Sequence, residues 1–344
     1  MDVLVLNQRE VTALLPMSEC MDVMADALST LAQGDALLPL RTVLRLPGGP
    51  NAFGAMPAYL GRPGAMGIKV ISVFPENDGT RFDSHQGAVL LFEIEQGQLV
   101  AIMDASAITA IRTAAVSGVA TRMLARPDAA DLAILGSGVQ AMTHLEAMCL
   151  ARPIRQVRVW SRSTDRARDF ARQGSERFDV AIEAVESAAH AVTGAGIVCT
   201  VTAAREPVLR GDWLAPGSHV NAVGASLPSA RELDSDAVRR ARVYVDRRES
   251  ALNEAGDILF PKREGTITDD HIVGELGDLL LDRIAGRRSP EEITLFKSLG
   301  LAVEDVAAAY HVYHKAMTGG LGTRVELGGD RVEEAKRSRD PSLR

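Results

Sequence analysis

Asp131-Leu-Ala-Ile-Leu-Gly-Ser-Gly-Val-Gln-Ala-Met-Thr-His-Leu145 is a short apolar run, a glycine turn and the start of a helical pattern, in that order. Leu132 to Leu135 reads as a buried parallel strand. Gly136-x-Gly138-x-x-Ala141 follows at once. In a dinucleotide-binding turn the first glycine makes the tight bend, the second lets backbone approach a pyrophosphate, and the third small residue lets helix pack on strand. The helix start also offers unpaired N–H groups and the positive end of its dipole to phosphates. The pattern therefore predicts a cofactor turn made by Gly136, Ser137, Gly138, Val139 and Gln140.

Downstream the rhythm is strand then helix, with strands expected at 132–135, 157–160, 196–201, 219–223 and 242–245 and helices between them. Such alternation implies a parallel, doubly wound sheet with right-handed crossovers. A further helix start is expected at Ser289-Pro-Glu-Glu292 and a last helix from Val303 to Met317, with a loosely ordered tail from Arg331. Upstream, Leu4 to Leu6 reads as a strand. A helix with a cap at each end is expected from Ser18 to Gly34, and strands at 41–46, 65–74, 86–94 and 99–103, which make an antiparallel α+β unit. Asp104 caps a helix rich in Ala, Ser, Thr and Gly that runs to Ala125 and carries Arg112 in its middle.

A chain of 344 residues is long for one core, so about two domains are expected. A net charge of −7 without a dense basic run argues against nucleic acid, and no apolar run reaches membrane-spanning length. Cys20, Cys149 and Cys199 are scattered, which suits a reducing compartment and argues against a disulfide frame or structural metal. A cytoplasmic location is the expectation. Only five of the 38 basic residues are lysines, and Lys69 is the only one before Lys262, which singles it out.

The end of the second strand selects the cofactor, because an acid there binds the ribose hydroxyls of NAD whereas an arginine accommodates the 2′-phosphate of NADP. Val157-Arg-Val-Trp160 is followed by Ser161-Arg162-Ser163-Thr164, and Asp165 comes late enough to cap the next helix. NADPH is therefore expected, selected by Ser161, Arg162 and Ser163.

Together these blocks resemble the ornithine cyclodeaminase/mu-crystallin family over nearly the whole length. The matching stretches are Met66-Gly-Ile-Lys-Val70, Ala110-Ile-Arg-Thr-Ala-Ala115, Ile134-Leu-Gly-Ser-Gly-Val-Gln140, Val220-Asn-Ala-Val-Gly-Ala-Ser226 with Arg231-Glu-Leu-Asp234, and Ile293-Thr-Leu-Phe-Lys-Ser-Leu-Gly300. The resemblance implies an α/β chain: a Rossmann domain at 118–311, and an α+β substrate and dimerisation domain built from 1–117 with 312–344. It also implies a homodimer acting on a small imino or keto acid. Lys69 and Arg112 fall on positions that bind the substrate carboxylate in that family, Arg41 less surely on a third, and Thr113 beside Arg112 joins the cofactor set. The chemistry agrees, since guanidinium is a planar fork and ammonium a point charge for a carboxylate.

Ser226 is the informative departure. Cyclodeaminase members carry an Asp there, as a proton relay for deamination and ring closure, which a serine cannot replace at neutral pH. Gly-Ala-Ser resembles the ketimine reductase branch. It implies catalytic roles for Lys69, Arg112 and Ser226 in NADPH-dependent reduction of Δ1-pyrroline-2-carboxylate or Δ1-piperideine-2-carboxylate to L-proline or L-pipecolate. The alternatives are a reductive aminase joining a keto acid to an amine, a cyclodeaminase, an alanine dehydrogenase, and a ligand-binding protein without turnover. His85, Glu254 and Asp257 lie near the site by chain order only, and none is assigned as the acid.

Overall fold

The computed structural model describes residues 2–77 and 79–328. Two eight-stranded sheets divide the strands between them. The first holds β1 (Asp2–Leu6), β2 (Ala36–Leu37), β3 (Thr42–Arg45), β4 (Ala52–Leu60), β5 (Ala65–Val73), β6 (His85–Phe92), β7 (Leu99–Asp104) and β16 (Thr323–Glu326). The second holds β8 (Asp131–Leu135), β9 (Gln156–Trp160), β10 (Ala181–Ala184), β11 (Ile197–Thr200), β12 (His219–Ala222), β13 (Ala241–Val245), β14 (Ile272–Glu275) and β15 (Ile293–Lys297).

All pairings in the second sheet are parallel, in the order β10-β9-β8-β11-β12-β15-β13-β14. The direction of winding reverses between β8 and β11. Open α/β sheets bind ligands at that crevice, beyond the carboxyl ends of the strands. The helices here are α4 (Val139–Ala151), α5 (Thr164–Arg177), α6 (Ala188–Val192), α7 (Ser235–Arg240), α8 (Arg248–Glu254), α9 (Gly256–Arg263) and α10 (Leu276–Leu280). Their apolar faces bury both sides of the sheet, as parallel strands require.

Against the first sheet lie α1 (Gln8–Leu14), α2 (Met17–Ala32), α3 (Ala105–Leu124) and α11 (Ala302–Gly319). Helix α3 is buried on nearly all sides, wedged between α2 and α4, which is why it lacks a polar face. A Cβ on Gly118 would stand 2.6 Å from Met21 Cε, so small residues are what let these helices meet. Asp104 Oδ1 accepts from the N–H of Ala107 and caps α3 as expected.

The structure corrects several expectations. β15 stands where a helix was expected to start at Ser289: the segment makes one turn, Glu292 N to Ser289 O, and then fills the slot between β12 and β13. A helix-start signature yields here to a central position in the sheet that β-branched and apolar Ile293-Thr-Leu-Phe can fill. Between β11 and β12 there is no α-helix, only a 3-10 turn at Gly211–Trp213. β10 and β14 were not anticipated. The first sheet is not wholly antiparallel, since β1 pairs β7 in parallel. Helix α2 begins at Met17 behind Pro16 rather than being capped by Ser18, and the side-chain cap belongs to Asn7 at α1, reciprocated by Glu10. The tail expected from Arg331 lies outside the described residues. Among the described residues no helix is long and apolar enough to cross a membrane, and no cluster of His, Cys, Asp and Glu could hold a metal ion.

Candidate active site

The glycine turn takes the expected form. Gly136 has φ of +125°, and a Cβ there would lie 2.7 Å from the carbonyl oxygen of Val201, so the turn rests directly on the loop after β11. Gly138 is the N-cap of α4, has no side-chain cap, and a Cβ on it would meet nothing within 4 Å. Ala141 is fully buried against the strand. Uncapped N–H groups at a 13-residue helix start, facing open space, fit a pyrophosphate.

Helix α4 meets α3 along a polar seam. Gln140 Nε2 reaches the Thr109 carbonyl at 3.5 Å. His144 Nδ1 lies 2.7 Å from Gln140 O and Nε2 lies 3.0 Å from Ser117 Oγ. A carbonyl only accepts, so Nδ1 carries the proton and Nε2 accepts from the serine. Burial pushes the His144 pKa down to about 4, which keeps that arrangement neutral. Thr113 lies one turn from both Thr109 and Ser117, on the α3 face that meets α4.

At the end of β9, Ser161 is half-buried and Arg162 exposed, with no acid before Asp165. Asp165 does not cap α5. Ser163 does, its Oγ accepting from Arg166 N at 3.3 Å, while Asp165 sits in the first turn and pairs with Arg168. The Ser163 hydroxyl thus already has a helix-capping task.

Lys69 points from β5 into the buried face. There α11 packs so closely that a Cβ on Gly67 would lie 3.1 Å from Val306 Cγ2. Lys69 Nζ is 2.8 Å from Asp305 Oδ2 and 3.4 Å from Thr109 Oγ1. Arg112 sends Nε to Asp305 Oδ1 at 2.9 Å and NH1 to Glu304 Oε2 at 2.8 Å. All four side chains are at most 4% exposed. Buried charges persist only when paired, and here two basic groups face two carboxyl groups. Burial acts to raise the Asp305 pKa, but Arg112 and Lys69 outweigh it and hold the carboxyl below its usual range. The same burial pushes Glu304 up to about 7 and Lys69 down to about 8.

Arg41 joins the cluster from the loop before β3. Its Nε pairs with Glu254 Oε2 at 3.0 Å, and NH2 donates to the carbonyls of Leu299 and Gly300 at 2.9 and 3.1 Å. Gly300, at φ of +77°, is the pivot: a Cβ there would stand 2.3 Å from Arg112 NH1. Asp246 Oδ2 accepts from the N–H groups of Leu299 and Gly300 at 2.5 and 2.8 Å, fixing the turn from the other side. The structure therefore gathers Arg41, Lys69 and Arg112, while Arg45 stays exposed on β3.

Ser226 sits half-buried on the loop after β12. Its neighbour Gly224 meets the loop after β11, where a Cβ would stand 2.1 Å from the Thr202 carbonyl oxygen. Of the three acid candidates named by chain order, Asp257 is fully buried under backbone N–H groups and Lys297, and Glu254 is taken by Arg41. His85 accompanies Ser84 at the start of β6.

The acids Asp246, Glu304 and Asp305, and the buried Lys297, were missed in the sequence. A signal existed for three of them: Glu304-Asp305 interrupts the apolar run Leu301–Ala309, and Lys297 ends the apolar Ile293–Phe296.

Comparison with known proteins agrees with this architecture. The sequence pattern described as the ornithine cyclodeaminase/mu-crystallin family matches residues 1–320. Ketimine reductase mu-crystallin of Mus musculus is 42% identical over 288 residues, covering 83% of this chain and 87% of that protein. A Delta(1)-pyrroline-2-carboxylate reductase of Bacillus cereus is 38% identical over 325 residues, covering 94% of this chain and 100% of that protein. Among solved structures, Thermococcus litoralis Delta(1)-pyrroline-2-carboxylate reductase, in complex with NADH and L-proline, superposes with a TM-score of 0.92 at 40% identity, covering 94% of this chain and 100% of that one.

Proposed function

The chain belongs to the ornithine cyclodeaminase/mu-crystallin family, and from that membership we propose that it reduces cyclic ketimino acids, Δ1-pyrroline-2-carboxylate and Δ1-piperideine-2-carboxylate, to L-proline and L-pipecolate with NADPH. The observation that carries the reading is Thr109, which touches Lys69 through its hydroxyl and Gln140 of the cofactor turn through its carbonyl. A carboxylate anchored by Lys69 thus lies one residue away from the dinucleotide turn.

Gly136, Ser137, Gly138, Val139 and Gln140 would hold the pyrophosphate, with Thr113 on the facing helix. Arg162, with Ser161 and Ser163, would meet the 2′-phosphate, and the lack of an acid before Asp165 supports NADPH over NADH. The bound nicotinamide supplies hydride. Lys69 and Arg112, with Arg41 at the rim, fix the imino acid through its carboxylate, and this determines which face of the C=N bond is presented. Ser226 can hydrogen-bond the imine or a water but cannot serve as the base that ring closure from a diamine needs. Exposed Leu37, Val43, Leu44 and Phe53 along β2–β4 support a homodimer through that edge of the first sheet.

The test is a substrate panel: cofactor oxidation with each cyclic imine, with pyruvate plus methylamine, and ammonia release from ornithine. The reading expects fast oxidation with a cyclic imine and no ammonia. Ammonia from ornithine would overturn the role given to Ser226, and preference for pyruvate plus methylamine would move the substrate to open-chain imines. Ser226→Asp is expected to change turnover while leaving cofactor affinity nearly intact.

A further inference from the structure

Glu232, in the Arg231-Glu-Leu-Asp234 stretch, is fully buried although it lies far from the cation cluster in sequence and on a different segment. Its carboxylate takes four donors from two loops. Oε1 accepts from Thr202 N at 2.6 Å and Thr202 Oγ1 at 2.7 Å, and Oε2 accepts from Thr200 Oγ1 at 2.8 Å and Gly224 N at 2.7 Å. Thr200 and Thr202 belong to the end of β11 and the loop after it, and Gly224 to the loop after β12. These loops stand at the carboxyl edge next to the winding reversal, and the first of them carries the Val201 carbonyl on which Gly136 rests.

The residue is itself held from below. Asp257 Oδ1 accepts from Glu232 N at 2.7 Å and Leu233 N at 3.0 Å, and Asp257 Oδ2 pairs with the buried Lys297 Nζ at 3.0 Å. An apolar side chain could fill this volume without the cost of burying a carboxylate. A carboxylate with both oxygens doubly engaged instead fixes the distance between two backbones with directional, charge-assisted bonds.

We propose that Glu232 is a positioning residue for hydride transfer, a buried clamp that sets the two loops against which the nicotinamide end of the cofactor, and Ser226 with it, must be placed. The proposal rests on the nicotinamide-dependent reading above. Glu232 touches no reacting atom.

The test is Glu232→Gln, in which the amide NH2 must face a backbone N–H, that of Thr202 or that of Gly224, whichever way it turns. Thr200→Val, which removes one donor that is itself fully buried, is the milder variant, and Thr200→Ser its control. Binding of NADPH and of 2′-phospho-ADP-ribose, which lacks the nicotinamide, is measured by titration on the full-length protein, alongside Tm and kcat. The expected result is a loss of about tenfold in NADPH affinity, with 2′-phospho-ADP-ribose within about twofold of the parent and kcat reduced. Thr200→Val is expected to show the same selectivity at smaller size, and Thr200→Ser to show none. Equal weakening of both ligands with a falling Tm would reduce Glu232 to general scaffolding and overturn the proposal, as would parent-like NADPH binding and kcat. If Glu232→Gln does not fold, Thr200→Val decides by the same two binding constants. Those constants need no imine, so a failure of the substrate reading would leave this result interpretable.

Discussion

Gly300→Ala perturbs the buried Arg112–Lys69 cluster, proposed to anchor the substrate, with a single methyl group. The new Cβ would lie 2.3, 2.7 and 2.9 Å from NH1, NH2 and Cζ of Arg112. The backbone cannot yield, because Asp246 grips the N–H groups of residues 299 and 300 and Arg41 grips their carbonyls. The guanidinium must therefore leave its place between Glu304 and Asp305. Losing one charge-assisted hydrogen bond costs about 1.5–3 kcal/mol, and at about 1.4 kcal/mol per factor of ten substrate affinity should fall about 10- to 150-fold. The left-handed backbone adds about 1–2 kcal/mol of destabilisation for any L-residue. Gly265→Ala controls for that part, since Gly265 has φ of +71° with nothing within 4 Å of a Cβ. Steady-state kinetics and thermal denaturation of both variants make the comparison. Both should lose stability. Only Gly300→Ala should raise KM for the imino acid, with the cofactor dissociation constant unchanged. A normal KM in Gly300→Ala would refute the assignment of Arg112 to the substrate carboxylate.

Three further outcomes are expected. Arg162→Ala should raise the KM for NADPH about tenfold or more and that for NADH less than about twofold; equal changes would remove Arg162 from the phosphate site. Gly138→Ala, in open space, should keep the parent Tm and lose cofactor affinity, whereas Gly136→Ala, at φ of +125° against the Val201 carbonyl, should lower Tm as well; calorimetry with and without cofactor separates them. Lys69 is pushed down to about 8 by burial, so its charge is present below that pH and lost above it. Affinity for cyclopentanecarboxylate, a ring acid with no titrating nitrogen, should accordingly weaken from about pH 7 to about pH 9.5, and a flat profile would contradict a role for the Lys69 charge.

The glycine turn and the two cations were legible because each is a local signal: a turn between strand and helix, a lone lysine in a strand, an arginine in a helix of small residues. Their partners were not, because the pairings span the chain. Arg112 meets acids 192 and 193 residues away, on a helix whose apolar run gives no address for Glu304 and Asp305. The clamp spans less of the chain but was hidden too, since Glu232 reaches Thr200 and Thr202 only once β11 and β12 are neighbours in the sheet. Local rules also misled at Ser289-Pro-Glu-Glu292, where a good helix start gives way to the space between β12 and β13. Short edge strands such as β10 and β14 carry too few residues for a period-two pattern to register.

The most direct measurement follows one atom. NADPH carrying deuterium at the transferable position of its nicotinamide C4 is incubated with the protein and Δ1-pyrroline-2-carboxylate, and the product is read by NMR and chiral chromatography. The account predicts L-proline with one deuterium at Cα, at the rate of cofactor oxidation. Cofactor oxidation without deuterium at that carbon, racemic product, or no proline at all while ornithine releases ammonia would contradict it.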